Sequence, residues 1–280
     1  MSLTETICPI CNSNKYSYIS TDVQHIQRCK RCNIIFNSNH LPCNYDNKYF
    51  TDEYSKQYGR SYIEDFENIY ALSLTRLQKI FSLNKDNIKP KNVNLLDIGS
   101  AMGFFLKAAK DSGIENVKGI EVSSFAAEYC KKKYNFDVIN SSFEDVDFDR
   151  SYDIITAWYF IEHCETPIEI LRKIYNILSP KGIFAFSVPS SFGPQYIFNK
   201  SQWAKMQPAD HRIYLTPFLA KKILKKLGFK QIITKPGGLH PERIISRNSF
   251  LFSPFNPVYS LFSRIFCFSD TFEIYARKDI

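Results

Sequence analysis

Short apolar runs alternate with glycine turns and amphipathic stretches in the central part of the chain. Residues 93–98 form an apolar run of the kind that a parallel sheet buries on both faces. A glycine turn at 99–103 comes next, then an amphipathic stretch at 104–112 that predicts a helix, and a second predicted strand at 116–120. This alternation predicts an α/β fold with a doubly wound, Rossmann-like, mostly parallel sheet.

The glycine turn and the acid that follows the second strand indicate a nucleoside-containing ligand. A glycine turn between strand and helix lets a ligand approach backbone N–H groups at a helix N-terminus. Glu121 closes the second predicted strand, and a carboxylate at that position can accept hydrogen bonds from the two hydroxyls of a ribose. The glycine spacing differs from the dinucleotide and P-loop patterns, and Asp97 stands just before the turn. A carboxylate there repels a pyrophosphate and attracts an amino group, which fits S-adenosylmethionine.

At this point the segment 95–103 resembles the first motif of the class I S-adenosylmethionine-dependent methyltransferases. Ala101 departs from that motif, because it stands where the family has its middle glycine. Four later segments match further family motifs in the family's order: 119–123, 142–145, 161–167 and 178–189. The resemblance covers roughly residues 92–235 and a final strand at 271–277, and it implies a seven-stranded sheet.

The resemblance also implies which residues hold the cofactor. The first two motifs would place backbone and carboxylate groups around the amino acid and the ribose, and the third would place a side chain near the adenine. The implied contacts are Asp97, Gly99, Ala101, Gly103, Glu121, Phe143 and Glu144.

Two C-x-x-C pairs near the N-terminus predict a zinc ribbon over residues 1–44. Cys8 and Cys11 are separated from Cys29 and Cys32 by the seventeen residues 12–28. Each such turn aims two sulfurs at one tetrahedral metal ion. Two disulfides or four inert thiols are the alternative, and the lack of an apolar leader at the N-terminus favours a cytoplasmic chain with reduced thiols.

The remaining chain divides into a connector and the predicted α/β domain. Residues 45–90 are a tyrosine-rich connector followed by predicted helices at 61–83, which we expect to cover the cofactor through one apolar stripe. The domain spans 91–280 and carries an aromatic insertion at about 240–268. The order of ribbon, connector and core resembles sugar methyltransferases of bacterial surface-polysaccharide clusters. A sugar or nucleotide-sugar is therefore the leading acceptor. The apolar stripe of the predicted helices at 61–83 includes Ile69, Leu72, Leu77 and Ile80.

Two histidines and a glutamate are the candidate catalytic residues. An oxygen or carbon acceptor must lose a proton. His163 follows the predicted fourth strand, the apolar run at 152–157, at the edge where open α/β sheets bind ligands. Glu162 either orients His163 or acts as the base itself. His211 is the second candidate, because its surroundings resemble a family segment that follows strand five.

The charge of the chain leaves other functions open. The formal net charge is +8, and much of the excess lies in lysines at helical spacing, which indicate solvated helix faces. One rival function is an RNA methyltransferase that grips phosphates with Lys30 and Arg31 of the ribbon, although the chain has no long basic run. Another is a non-catalytic cofactor-binding adaptor, which Ala101 motivates.

The aromatic segment 244–268 is expected to pack on the core, to form a homodimer contact, or to touch a membrane surface. It carries seven aromatic residues, and its prolines make it too interrupted to span a bilayer. The expected location is accordingly cytoplasmic, peripheral to the membrane if the segment binds lipid.

Overall fold

The computed structural model describes residues 6–83 and 89–279, apart from the side chains of residues 57 and 58. The chain forms two compact units, each built from separate stretches of sequence. The first unit contains residues up to 43, 159–172 and 186–274. The second contains residues 44–158, 173–185 and those from 275 onward. The predicted division at residues 44 and 90 stays a prediction.

The secondary structure alternates between strands and helices after residue 93. In chain order the strands are β1 (Tyr16–Tyr18), β2 (Ile26–Cys29), β3 (Ile35–Asn37), β4 (Asn94–Ile98), β5 (Asn116–Glu121), β6 (Asp137–Asn140), β7 (Tyr152–Trp158), β8 (Leu178–Pro189), β9 (Ile213–Tyr214), β10 (Gln231–Pro236) and β11 (Thr271–Arg277). The helices are α1 (Tyr54–Tyr58), α2 (Phe66–Leu83), α3 (Phe104–Asp111), α4 (Ser124–Tyr134), α5 (Pro167–Ile177), α6 (Pro194–Phe198), α7 (Lys200–Lys205), α8 (Pro217–Leu227) and α9 (Phe252–Phe266). A π-helical turn, Tyr49–Glu53, precedes α1, and a 3-10 turn, Ile161–His163, follows β7.

The described residues form a seven-stranded sheet in the order β10-β11-β8-β7-β4-β5-β6. β4 pairs in parallel with β5 on one side and with β7 on the other, and β5 pairs in parallel with β6. The strand order therefore reverses beside β4, which is where open α/β sheets bind ligands at their carboxyl edge. The predicted doubly wound, mostly parallel sheet of seven strands is confirmed.

The N-terminal strands belong to a separate antiparallel sheet. Among the described residues its order is β1-β2-β3-β9, so the ribbon region is extended by a strand from much later in the chain. An apolar cluster lies against this sheet and joins the same distant parts of sequence: Val23, Ile26, Ile35, Tyr196, Trp203, Ala204 and Tyr214.

The connector and α2 lie in the second unit, and they differ in part from the prediction. The predicted pair of helices over 61–83 is one helix, α2, that begins at Phe66. Leu77 and Ile80 are buried in the core cluster, and Ile69 packs beside Phe104. Leu72 was assigned to the buried stripe wrongly, because it is an exposed residue of α2.

The aromatic insertion forms a helix, α9, with one buried and one exposed side. Tyr259 and Ser263 are its buried residues. Large apolar side chains on the other side are exposed: Val258, Leu261, Phe262, Ile265 and Phe266. No helix in the part of the chain that the structure describes is both long and apolar enough to cross a bilayer.

Candidate functional site

The glycine turn after β4 is built from residues in an unusual backbone conformation. Gly99, Ala101 and Gly103 have φ values of 69°, 46° and 76°, all in the left-handed region. At Gly103 a Cβ would lie 2.8 Å from the Cys130 sulfur, so the turn and α4 approach too closely for a side chain there. Ala101 is the one residue of the three that has a Cβ, and it adopts a conformation that favours glycine.

Glu121 joins the end of β5 to this turn. Its Oε2 accepts a hydrogen bond from the Ala101 N–H at 2.8 Å, and its Oε1 accepts one from the Ser123 N–H at 2.8 Å. Burial raises the pKa of Glu121, although the backbone donors oppose this shift. Each carboxylate oxygen has a second lone pair, so the same geometry can also accept hydrogen bonds from a ligand's hydroxyls.

Asp97 is a second buried carboxyl at the carboxyl end of β4. Its Oδ1 accepts a hydrogen bond from the Thr156 hydroxyl at 2.6 Å, and Thr156 lies on the neighbouring strand β7. Burial raises the pKa of Asp97 to about 7, and the charge of Glu121 adds to the increase, while Thr156 and the charge of Arg76 oppose it. Two buried carboxyls with raised pKa values favour a cationic ligand, because a positive charge would stabilise both ionised forms.

Aromatic side chains from the connector cover the residues around the turn. Phe104, the first residue of α3, is stacked on Tyr62 with ring centroids 5.3 Å apart, and it contacts Phe66 edge to face. Phe50 of the π-helical turn contacts both Tyr62 and Phe125. Burial and the nearby Asp97 raise the pKa of Tyr62, so its hydroxyl stays protonated. The connector thus supplies an apolar cover to the glycine turn.

Phe143 and Glu144 follow β6 in the same unit, in the segment matched to the adenine. Phe143 is buried, whereas the side chain of Glu144 is exposed. The Lys173 ammonium donates hydrogen bonds to the backbone oxygens of both residues, at 2.9 and 2.7 Å, and lies 5.2 Å from the centre of the Phe143 ring. These contacts fix the backbone of this loop.

In the first unit, Glu162, His163 and His211 form a compact group, which we call the Glu–His cluster. One ligand-type atom from each side chain lies within 4.8 Å of the others, and the two imidazole centroids are 4.8 Å apart. Glu162 is only 1% exposed, and neither of its carboxylate oxygens has a hydrogen-bond partner among the described residues. The three candidate catalytic residues are thus brought together.

Asp210 holds the His163 ring of the cluster in place. The sequence had assigned no role to Asp210. Its backbone oxygen lies 2.9 Å from His163 Nδ1, and its Oδ2 lies 3.2 Å from the same nitrogen. The same backbone oxygen lies 2.9 Å from His40 Nε2. The only sequence signal was that Asp210 directly precedes His211 in a family-like segment. Pairing across 47 residues has no local pattern that sequence reasoning could detect.

Burial shifts the pKa values within the Glu–His cluster in different directions. It raises the pKa of Glu162 to about 7, against the opposing charge of His163. It also lowers the pKa of His211 to about 3, with the charge of His163 adding to the decrease. Burial alone would lower the pKa of His163, but the hydrogen bond to Asp210 and the charge of Glu162 outweigh it and give a net increase. The cluster therefore contains both a neutral imidazole and a group that titrates near neutral pH.

The four cysteines of the two C-x-x-C pairs form a third group, also in the first unit. Cys8 Sγ lies 3.6 Å from Cys32 Sγ, Cys11 Sγ lies 3.6 Å from Cys29 Sγ, and all four sulfurs lie within 4.8 Å of one another. Tetrahedral zinc with bonds of about 2.3 Å separates its sulfurs by about 3.8 Å. The hydrogen-bonded contact with Cys32 lowers the pKa of Cys8, which favours a thiolate at one sulfur of this pair. The spacing and the donor set fit zinc.

Comparison with known proteins supports the fold and shows the family. Residues 64–234, more than half of the 280-residue chain, match the family model of a methyltransferase domain. A S-adenosylmethionine-dependent methyltransferase from Archaeoglobus fulgidus aligns over 81% of this chain and 98% of its own, with a TM-score of 0.57 and 21% identity. The plantazolicin methyltransferase BpumL, in complex with SAH, aligns over 83% of this chain and 93% of its own, with a TM-score of 0.54 and 17% identity.

One curated relative shares more sequence identity over a shorter stretch. The mitochondrial ubiquinone biosynthesis O-methyltransferase of Saccharomyces cerevisiae is 32% identical over 123 residues. The match covers 40% of this chain and 38% of that protein, so the chain spans about two fifths of the length of the curated relative.

Proposed function

Because the chain belongs to the methyltransferase-domain family, we propose that it transfers the methyl group of S-adenosylmethionine to a small polar acceptor. The observation that carries this proposal is the pair of buried carboxyls, Asp97 and Glu121, beside a glycine turn at the point where the strand order reverses. The sulfonium and ammonium of this cofactor are cationic, and it has no phosphate that the carboxyls would repel. The SAH bound to BpumL supports the same cofactor class.

Each residue at the turn has a distinct role in this proposal. Asp97 attracts the ammonium, and Glu121 accepts hydrogen bonds from the ribose hydroxyls. Gly99, Ala101 and Gly103 let the cofactor approach the backbone. Phe143 and Glu144 lie beside the adenine, with Phe143 as the apolar contact.

An oxygen-bearing acceptor of the sugar or nucleotide-sugar class is the proposed substrate. Support for oxygen as the reacting atom comes from the yeast relative, which is an O-methyltransferase by name. Support for a sugar comes from the sequence order of cysteine ribbon, tyrosine-rich connector and core. In the reaction the acceptor oxygen attacks the methyl carbon, the carbon–sulfur bond breaks, and the hydroxyl proton must be removed.

The Glu–His cluster is the proposed proton-handling group. His163 is the leading base, because the hydrogen bonds to Asp210 Oδ2 and to its backbone oxygen orient the ring through Nδ1. Glu162 is the alternative base, and His211 positions the substrate. A correctly placed base contributes about 10²–10⁴-fold to such a rate, so His163→Ala should lower turnover by that factor while cofactor affinity stays unchanged.

Zinc in the four-cysteine cluster is proposed as a structural ion. Four thiolates complete a tetrahedral shell and leave no position for substrate, so this ion would stabilise the fold without taking part in the reaction. The resulting ribbon would consist of β1, β2 and β3 together with the loops that carry the cysteines.

We also propose that the exposed side of α9 touches an anionic membrane surface. Its apolar residues lie at helical spacing on one face, and residues 244–268 contain two arginines and no acidic residue. A helix of this kind can lie in the interface of a bilayer without crossing it. A cytoplasmic enzyme peripheral to the membrane would follow from this contact.

Calorimetry with S-adenosylmethionine and with SAH tests the cofactor assignment directly. Glu121→Ala should weaken binding by roughly 10- to 150-fold, because it removes charge-assisted hydrogen bonds worth about 1.5–3 kcal/mol. Asp97→Asn should weaken the binding of S-adenosylmethionine as well. Glu128→Ala on α4 is the matched control, since Glu128 is exposed and pairs only with Lys132 among the described contacts. Unchanged affinity in both site variants would overturn the assignment.

An acceptor screen with radiolabelled S-adenosylmethionine then tests the reaction. Nucleotide-sugars, free sugars, catechols and short peptides are compared, with an RNA pool included as the rival class. Transfer to a nucleotide-sugar is the expected result. Transfer only to RNA would favour the rival function, and cofactor binding without transfer to any acceptor would favour an adaptor.

A further inference from the structure

The carboxyl of Glu162 lacks the hydrogen-bond partners that a buried carboxylate normally has. It lies in the 3-10 turn after β7, and both oxygens are buried without a hydrogen bond from any described residue. Its backbone oxygen, in contrast, accepts a hydrogen bond from the Arg212 N–H at 2.7 Å. A buried carboxylate that receives no hydrogen bond is destabilised, and a bound cation would stabilise its ionised form.

Two imidazoles complete a set of ligands around this carboxyl. His211 Nδ1 is also buried without a hydrogen-bond partner among the described residues. The His163 ring crosses the His211 ring at 79°, so the two rings do not stack face to face. Ligand atoms around one tetrahedral ion are about 3.4 Å apart when each metal–ligand bond is about 2.1 Å long. The three ligand atoms of the Glu–His cluster lie within 4.8 Å of one another without an ion, so a small movement would bring them to this spacing.

The surroundings of His163 match those of a metal-binding histidine. A ligating histidine usually gives its other ring nitrogen to a carboxylate or a backbone carbonyl, which fixes the ring and its tautomer. His163 Nδ1 contacts both kinds of acceptor on Asp210. Nε2 is therefore the atom that would face the ion. Asp210 is itself held in place, because His40 Nε2 contacts the same backbone oxygen.

We propose that Glu162, His163 and His211 bind a divalent transition-metal cation, at a site separate from the four cysteines. Two imidazoles and one carboxylate suit zinc, iron, manganese or cobalt, whereas magnesium and calcium prefer oxygen ligands alone. Three protein ligands leave positions open for an acceptor oxygen, so the ion would lower the pKa of an acceptor hydroxyl. This catalytic use rests on the proposed function, but binding of the ion does not.

An ion bound to the Glu–His cluster would change the proposed role of His163 from base to metal ligand. An imidazole that ligates through Nε2 cannot accept a proton at that atom, so the hydroxyl proton would pass to solvent as the oxygen binds the metal. Methyl transfer to an acceptor oxygen held by the ion would break the carbon–sulfur bond and release the neutral thioether. Metal dependence of turnover therefore distinguishes this scheme from catalysis by His163 as a base.

Manganese titration followed by electron paramagnetic resonance is the direct test. Mn²⁺ is the weakest binder in the divalent affinity series, so it cannot displace zinc from thiolates and reports only on the Glu–His cluster. The full chain should bind one Mn²⁺ saturably, without any methyl donor present. Glu162→Gln and His211→Ala should each weaken binding by more than about 100-fold, and Asp210→Asn by about 10- to 100-fold, as expected for an outer-shell partner.

The chain offers a matched control and a check on folding. His240 and Glu242 form another histidine–carboxylate pair, with Nδ1 and Oε1 3.0 Å apart, and no third ligand joins them within the described part of the chain. His240→Ala should leave Mn²⁺ binding unchanged. Glu162→Gln preserves shape and removes an unpaired charge, so its unfolding midpoint without metal should be no lower than that of the wild type, and Mn²⁺ should raise only the wild-type midpoint.

Two results would overturn the proposal. One is the absence of saturable binding of both Mn²⁺ and Co²⁺, at millimolar concentration, to a chain that carries zinc only in its four-cysteine cluster. The other is equal affinity in the wild type and in folded Glu162→Gln. A chain that binds the ion yet transfers no methyl group would contradict the proposed function alone.

Discussion

At the scale of single residues, the burial of Asp97 makes stability depend on pH. The pKa of Asp97 is about 7 in the folded chain, against about 3.9 in an unfolded one. Between these two values the folded state retains a proton that the unfolded state loses. The free energy of unfolding therefore falls as pH rises through this interval, and the loss is complete above about pH 7.

We expect Asp97→Asn to remove this pH dependence in the cofactor-free chain. Urea unfolding at pH 5 and pH 8 should show a larger loss of unfolding free energy for the wild type than for the variant. The difference should be at most about 3 kcal/mol, because only the interval from pH 5 to about pH 7 contributes, at about 1.4 kcal/mol per pH unit. Glu121 contributes in the same direction in both proteins, because burial raises its pKa too, so the difference between the proteins comes from Asp97 and its repulsion with Glu121. Identical pH slopes for the two proteins would contradict this account.

Single residues also show what local sequence can and cannot predict. The position of Glu121 at the end of β5 could be predicted from the order of apolar runs and turns in the sequence. Its hydrogen bond to the Ala101 N–H did not, because it joins residues 20 positions apart. Likewise, Glu162 and His163 are neighbours in a recognisable segment, whereas His211 and Asp210 reach them only through folding of a distant stretch.

At the scale of elements, the ribbon region is supported by more than its cysteines. Strand β9 extends its sheet, and Trp203 packs in the apolar cluster beside Ile26 and Ile35. Loss of a structural zinc should therefore disturb the surroundings of Trp203. The other tryptophan, Trp158, lies in the second unit against Phe105 and Arg76.

We expect a mercurial thiol reagent to release one zinc ion per chain and to shift the emission of Trp203 to longer wavelength. The reagent attacks thiolates, so it leaves any ion held by the Glu–His cluster in place. Trp203→Phe should abolish the shift, and Trp158→Phe should preserve it. Cys11→Ser should bind zinc more weakly, because it removes one of four ligands. Purified chain that contains no thiol-releasable zinc would contradict the structural role.

The elements that sequence predicted well are those with local patterns. Apolar runs predicted β4, β5 and β7, and the predicted final strand coincides with β11. Helix α9 was missed because Pro254 and Pro257 suggested an interrupted segment. Pro254 lies in the first turn, where a missing N–H costs nothing, and Pro257 is the one proline inside the helix. Pairing of β3 with β9 had no local signal at all.

At the scale of the whole molecule, charge and exposed apolar surface point to the same partner. The chain carries a net charge of +8, which attracts it to anionic surfaces at low salt. Leu261 and Ile265, on the exposed face of α9, are 62% and 64% exposed. Burial of such side chains in an interface supplies the apolar part of binding, and the positive charge supplies the electrostatic part.

We expect the chain to sediment with vesicles that contain anionic lipid and to bind neutral vesicles more weakly. The double variant Leu261→Gln and Ile265→Gln should weaken binding about tenfold or more, because each apolar side chain contributes up to about 1.5–3 kcal/mol on burial. Phe218→Gln is the matched control, because Phe218 is an apolar residue of a different helix, α8, and its side chain is 56% exposed. Equal binding of the double variant, or no binding to anionic vesicles at low salt, would contradict a lipid contact. A concentration-dependent dimer that forms without lipid and is lost in the double variant would instead assign this face to a second copy of the chain.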